Sequence, residues 1–305
     1  MDILYVLPTT KVSKLKLLIS TTILCLQTLT CFASTESVTL EKIKQSKTVT
    51  IGVREAAAPF AVYTNGVGKG YSVDICNTIV AGLEKHLSVK LDVKYVPVTS
   101  QNRIEFVKSG KVDLECGSTT STRDRIKEVE FSYPIFITGA RISVRKGSTI
   151  TDYKNMANAR VAVVSGTSAE ILMRSVLNTA MSHGQGFVIV PVANNNDGVN
   201  DLASGKFDVF STDDILMAGA IASNGLENKL IRTGSFISIE PYAIMSRKDD
   251  LPFLKLVDSM VAEQLTSGRA QQLLEKWFDT PSFHYKVNNL TASNFNFPAK
   301  SIAFP

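Results

Sequence analysis

Short β-type runs alternate with helix-type stripes along this chain, and the alternation occurs twice. Residues 49–53 (Val-Thr-Ile-Gly-Val) read as a buried strand. Ser72 is expected to cap a helix in which Val73, Cys76, Ile79, Val80 and Leu83 recur at three- and four-residue spacing. Residues 91–96 alternate like a strand, 101–109 form a short helix stopped by Gly110, and 112–115 form another strand. This βαβαβ order implies a mostly parallel sheet flanked by helices. It recurs as strand 160–164, helix 168–181, strand 187–192, short helix 200–204, strand 207–210 and helix 212–223. Only the element order repeats, not the sequence. Phe253, Leu256, Val257, Met260, Val261 and Leu265 then form a helical stripe, Gly268 breaks it, and residues 270–278 make a second. The polar tail from Asn288 is expected to lie along the surface.

No Gly/Ser/Pro-rich linker separates the two α/β units, so the strand-like runs 135–144 and 236–245 are the expected crossings. Two close crossings make a hinge, and a hinge between α/β lobes makes a cleft. The expected division is 34–138 plus 245–305 for the first lobe and 139–244 for the second.

The N-terminus has the order of an export signal over residues 1–33. Lys11, Lys14 and Lys16 precede an uncharged run that ends at Thr30, and Cys31-Phe32-Ala33 supplies small residues for cleavage. That run is short of the ~20 apolar residues of a membrane span. The expected mature protein is therefore exported. The formal charge of +5 falls to +3 once those three lysines and Asp2 are set aside, which gives no basis for nucleic-acid binding. Cys25 and Cys31 leave with the signal. Cys76 and Cys116 remain, an even pair that either forms one disulfide or stays as two buried thiols. With three His and no CxxC, no metal is expected.

Ligands of open α/β sheets sit beyond the carboxyl ends of the strands. In the first unit those positions hold Arg54-Glu55, Thr99-Ser100-Gln101-Asn102-Arg103 and Gly117-Ser118-Thr119-Thr120, with Arg123 and Arg125 beyond. In the second they hold Ser165-Gly166-Thr167-Ser168, Asn194-Asn195-Asn196-Asp197 and Ser211-Thr212-Asp213-Asp214. Guanidinium groups bind carboxylates with paired hydrogen bonds. Helix-start amides and hydroxyls add donors for an anion. One carboxylate suits an ammonium. The inventory fits a small zwitterion. A GxSxG elbow, a GxGxxG turn and a Walker loop are all missing, so no cofactor is expected.

Several of these runs are similar to the periplasmic amino-acid-binding proteins of ABC importers, and most to the glutamate/aspartate branch. The resemblance rests on Gly70-Tyr71-Ser72-Val73-Asp74, Ser100-Gln101-Asn102-Arg103, Glu115-Cys116-Gly117-Ser118-Thr119-Thr120, Ser165-Gly166-Thr167, Asp213-Asp214 and Lys276-Trp277-Phe278. It implies the type II periplasmic-binding-protein fold: two α/β lobes, each a mostly parallel sheet flanked by helices, joined by a two-strand hinge. It implies that Arg125, with Thr120 and Thr167, takes the α-carboxylate. Asp213, with Ser118 nearby, takes the ammonium. Arg54, Ser100 and Arg103 hold an acidic side chain. Asn195 falls in a run where the branch carries His, and Val164 stands where the branch has Thr. Asn donates a hydrogen bond but does not become cationic.

The function so implied is capture of an amino acid, glutamate or aspartate first, by cleft closure, with delivery to an ABC permease in the inner membrane. A monomer is expected. Glutamine, asparagine or another polar amino acid is the alternative ligand. An enzyme on the same fold, a cyclohexadienyl-type dehydratase, is the alternative class. That chemistry needs a general acid or base in the cleft. Only Glu55 or Asp197 is available for it, so a binding protein and not an enzyme is expected.

Overall fold

The computed structural model describes residues 37–300. The export signal, its cleavage point after Ala33, and Cys25 and Cys31 lie outside the described residues. Helix α1 (Val38–Ser46), capped by the Ser37 hydroxyl on the Leu40 N–H, leads into β1 (Thr48–Arg54). A small meander follows, formed by β2 (Ala56–Ala57), β3 (Ala61–Thr64) and β4 (Val67–Lys69). Then come α2 (Tyr71–Leu87), β5 (Asp92–Val98), α3 (Arg103–Lys108), β6 (Leu114–Glu115) and β7 (Val129–Thr138).

The second unit opens with β8 (Ala140–Arg145). It continues through β9 (Arg160–Val164), α4 (Ser168–Ser182), β10 (Val188–Val192), α5 (Asn195–Ala203), β11 (Val209–Asp213), α6 (Asp214–Ser223) and β12 (Leu230–Thr233). The chain then returns through β13 (Glu240–Arg247) to α7 (Leu251–Thr266) and α8 (Arg269–Phe278). It closes with the hairpin of β14 (Asp279–Thr280) and β15 (Phe283–His284), then α9 (Asn289–Asn296).

Two five-stranded sheets result, in the orders β5-β1-β6-β13-β7 and β10-β9-β11-β8-β12. In each, three adjacent strands pair in parallel, and the fourth in the order, β13 or β8, runs antiparallel to both its neighbours. Strand β9 shows why such a sheet forms. Val161 and Val163 enter one core while Ala162 and Val164 enter another, so an uninterrupted apolar run is buried on both faces. The first lobe has an aromatic centre. Phe60 meets Tyr71, Phe136, Tyr242 and Phe278 edge-on at centroid distances of 5.0–5.9 Å. A disulfide joins Cys76 on α2 to Cys116 at the end of β6, directly before the loop that opens the cleft.

Two local expectations are corrected. Ser72 does not cap α2; Gly70 occupies the cap position, and the Ser72 hydroxyl instead donates to the Gly117 carbonyl at 2.7 Å. The helix expected at 200–204 begins at Asn195, because the Asn194 side chain accepts from the Asp197 N–H and starts the turn within the Asn run. The tail from Asn288 is helical over α9 and buries Thr291, Asn294 and Phe295.

Candidate functional site

The carboxyl ends of both parallel triplets meet at one cavity. From the first lobe, Arg54 ends β1, Arg103 opens α3, and β6 delivers Ser118 and Thr120. From the second, Thr167 caps α4, Asn195 opens α5, and Asp213 ends β11. The enclosed cavity is about 10 Å³. A larger concavity of about 670 Å³ lies against Pro59, Val67, Trp277 and Phe283. Lys69 is the charged residue on its wall, so the chemistry belongs to the small cavity.

Ser100 and Arg125, expected at the site, stand just outside the wall and tie the lobes together. Ser100 Oγ donates to the Ser165 carbonyl at 2.7 Å. Arg125 donates from Nη1 to the Thr120 carbonyl at 2.9 Å and from Nη2 to the Gly166 carbonyl at 3.3 Å. The Thr167 hydroxyl is partly committed to its own helix, donating to Val164 O and accepting from the Glu170 N–H. Asn195 Oδ1 accepts from Thr212 Oγ1 at 3.1 Å, and its amide points at Ala56 O at 3.5 Å.

Three wall atoms are buried without any partner among the described residues: Arg103 Nε, Ser118 Oγ and Asp213 Oδ1. Folded proteins keep few such groups, and here they converge on one cavity. Burial lowers the Arg54 guanidinium to about 10, with neighbouring Arg103 adding to the effect. Burial followed by Arg103 lowers Arg125 to about 9. Each remains charged at neutral pH. Burial raises the Asp213 carboxyl to about 7, helped by nearby Glu240 and opposed by the Tyr242 hydroxyl and the arginines. Although Asp213 stands at the cap position of α6, its side chain makes no cap bond; one oxygen accepts from Tyr242.

Sequence reasoning missed three participants. Glu115 heads the run 115–120 that carries the family resemblance, but it was given no role at the site. Its Oε2 accepts from Thr119 Oγ1 at 2.7 Å, and that hydroxyl accepts from Arg103 Nη1 at 2.7 Å. Gly117 makes room for it: a Cβ there would stand 2.3 Å from Glu115 Oε1 and 2.9 Å from Arg54 Cγ. Glu240 accepts from Ser168 Oγ at 2.8 Å and Ser238 Oγ at 2.6 Å. Tyr242 donates to Asp213 from the returning strand. The signals available for Glu115 were a carboxylate ending an apolar strand and its place at the head of the run 115–120. Glu240 and Tyr242 had no signal, because β13 reaches the site from far along the sequence. Glu55, one of the two residues considered for acid–base chemistry and the neighbour of Arg54 in sequence, is exposed and forms no ion pair among the described residues. Asp197 is also exposed and engages Asn194. Among the described residues, no cluster of three His, Cys, Asp or Glu groups could hold a metal.

With this geometry in view, the chain is matched over residues 49–280 by the bacterial extracellular solute-binding proteins, family 3, and it belongs to that family. It is 38% identical over 245 residues to the glutamate/aspartate import solute-binding protein of Escherichia coli (strain K12), covering 80% of each chain. It is 35% identical over 255 residues to the L-glutamate/L-aspartate-binding protein of Pseudomonas aeruginosa, again covering 80% of each. An ancestral arginine-binding protein solved with arginine superposes with a TM-score of 0.67 at 27% identity, over 76% of this chain and 98% of that one. The solute receptor for L-cysteine of Neisseria gonorrhoeae shares the fold, with a TM-score of 0.69 at 24% identity over 83% and 98% of the two chains. The chain is thus a solute-binding protein on the type II two-lobe fold, and the relatives named here are solute-binding proteins and not enzymes.

Proposed function

We propose that this protein captures glutamate or aspartate in the periplasm and delivers it to an inner-membrane ABC permease. One observation carries the choice of ligand. Two guanidinium groups, Arg54 and Arg103, stand on the cavity wall, and neither forms a direct ion pair with a protein carboxylate among the described residues. Arg125 suffices for an α-carboxylate, so two further cations suit a second carboxylate on the ligand. Asp213 Oδ1 faces the same cavity and suits the ammonium. The two relatives above bear glutamate/aspartate names.

Closure follows from the same geometry. A cavity of about 10 Å³ holds no more than a water, so a ligand reaches the wall only when the lobes part. The bonds from Ser100 to Ser165 and from Arg125 to Gly166 hold them together. The natural flexing points are the two crossings, at 138–140 and at 233–240. Strand β13 pairs with β7 from its first residue, which supports placing the second lobe boundary before Glu240 instead of at 244/245. A monomer is sufficient for this cycle, and residues 1–33 would direct export.

Thermal unfolding of the mature protein, freed of ligand by denaturation and refolding, against the twenty amino acids tests the assignment. A ligand at a thousand times its dissociation constant stabilises by about 4 kcal/mol. A large shift confined to glutamate and aspartate is expected. A shift confined to neutral amino acids would overturn the acidic-ligand assignment, and no shift would overturn the function.

A further inference from the structure

Apart from Asp214, which is paired with Arg141 and Arg232, the buried charges around the cavity sum to zero once Asp213 is ionised, as it is at pH 8. Arg54, Arg103 and Arg125 supply three positive charges, and Glu115, Asp213 and Glu240 supply three negative ones. The ammonium and α-carboxylate of an amino acid cancel each other. A side-chain carboxylate does not cancel, and it would leave one net negative charge inside a closed, dry site. An uncompensated buried charge costs several kcal/mol, and protonation of a neighbouring carboxylate is the usual relief.

The three carboxylates differ in what holds them. Glu240 accepts two hydroxyl hydrogen bonds, from Ser168 and Ser238. Asp213 accepts from Tyr242, and its free oxygen faces the cavity, where an ammonium satisfies it. Glu115 accepts a single bond, from Thr119, and its Oε1 is buried without a partner among the described residues. The Gly117 backbone packs over that oxygen so closely that a Cβ would stand 2.3 Å away, and Glu115 is not on the cavity wall. A ligand atom does not reach Oε1. A proton does.

Resting on the acidic-ligand reading above, we propose that Glu115 sets the selectivity of the side-chain end: it takes up one proton from solvent when an acidic side chain enters. The proton becomes a carboxylic O–H on Glu115; no other bond is made or broken. The neutralised Glu115 then leaves Arg54 on β1 and Arg103 on α3 uncompensated toward the ligand. Arg125 faces Glu115 from the turn after Thr120. Asp213, Tyr242 and Glu240 complete the charged and titratable surroundings. Burial already holds the Glu115 carboxyl above the ordinary range, against the pull of Arg103, Thr119, Arg54 and Arg125. An amide side chain brings no charge and calls for no proton. Glu115 acts through the two arginines, so it is a positioning residue.

Calorimetric titration of the full mature protein at pH 8, in buffers of differing ionisation enthalpy, counts the protons bound. Glutamate should take up about one proton more than glutamine, a difference that cancels any proton moved at Asp213 by the shared ammonium. If glutamine does not bind, the wild-type count for glutamate is set against that of Glu115→Gln. In Glu115→Gln the extra proton should vanish, and glutamate should bind at least about tenfold tighter at pH 8 than to the wild type, because the site is then already one charge more positive. A thermal melt of the variant checks its folding, and the wild-type count stands without it. Equal proton counts for acid and amide in the wild type would overturn the proposal. So would an unchanged count for glutamate in folded Glu115→Gln. A flat wild-type titration with both acidic amino acids would overturn the function itself, which is a different signature from binding without the proton.

Discussion

The first lobe brings Arg54 and Arg103 to the cavity wall, with Arg125 just outside it and Glu115 behind them. The second brings the Thr167 and Ser168 hydroxyls, the Asn195 amide and one carboxylate, Asp213. Their scaffolds differ in the same sense. The charged side is braced by the Cys76–Cys116 disulfide and by an aromatic centre around Phe60. The second lobe's polar groups cluster at the starts of α4, α5 and α6, where backbone N–H groups already favour an anion, over two smaller cores. Buried guanidinium groups need fixed positions, because each one misplaced is a desolvated charge. Neutral caps tolerate movement. The contrast suits a static half that holds the arginines and a moving half of hydroxyls, amides and Asp213 that completes the contacts on closure.

The sharpest way to break that contrast is to remove arginines that serve different ends. Arg125→Ala deletes the bonds to Thr120 and to Gly166 of the other lobe. It should weaken every amino acid by roughly 3–5 kcal/mol, close to loss of detectable binding by calorimetry. Arg103→Ala leaves Glu115 without its main compensating charge and should weaken acidic ligands by about 3 kcal/mol while sparing neutral ones. Equal losses across acidic and neutral ligands for both variants would mean that the first lobe is not divided into α-carboxylate and side-chain ends.

Asp213 sharpens the second half of the comparison. With its carboxyl raised from 3.8 to about 7, the folded protein keeps a proton that the unfolded chain has lost between those values. Stability from this group is therefore greatest below about pH 4 and is lost as pH rises through about 7. Asp213→Asn should remove that dependence. In ligand-free melts it should exceed the wild type at pH 8, by at most the order of 1–3 kcal/mol that a fully closed cleft would give because an open cleft hydrates the carboxylate, and lose the advantage toward pH 4. A wild type as stable at pH 8 as the variant would show that Asp213 carries no such strain.

Most of these wall residues were legible in the sequence, because parallel strands end where ligands bind and apolar runs such as residues 160–164 mark those ends. What escaped lies off that rule. Glu115 sits within a strand rather than beyond one. Glu240 and Tyr242 arrive on an antiparallel strand from the far side of the second lobe, so no local pattern joins them to Asp213 or Arg125. Asn195 was expected in a loop, because a run of Asn resembles a turn until one of them is seen capping its neighbour. Arg125 and Ser100 were expected to touch a ligand, and the closed geometry shows them bonded across the cleft as well.

Tyr242 is where the two halves meet most directly, and its variant should have the smallest effect. Its ring belongs to the first lobe's aromatic centre, against Phe60 and Phe136, while its hydroxyl donates to Asp213 of the second. Tyr242→Phe keeps the packing and deletes only that donor. One carboxylate oxygen of Asp213 then loses its partner in the closed form, at a cost of about 1–2 kcal/mol. In the open form the same oxygen faces water and the loss is small. Binding should therefore weaken about tenfold, with the melting temperature of the ligand-free protein nearly unchanged. If the melting temperature falls and affinity holds, the hydroxyl serves the first lobe's stability alone, and the link between static and moving halves must run through Glu240 and Ser168 instead.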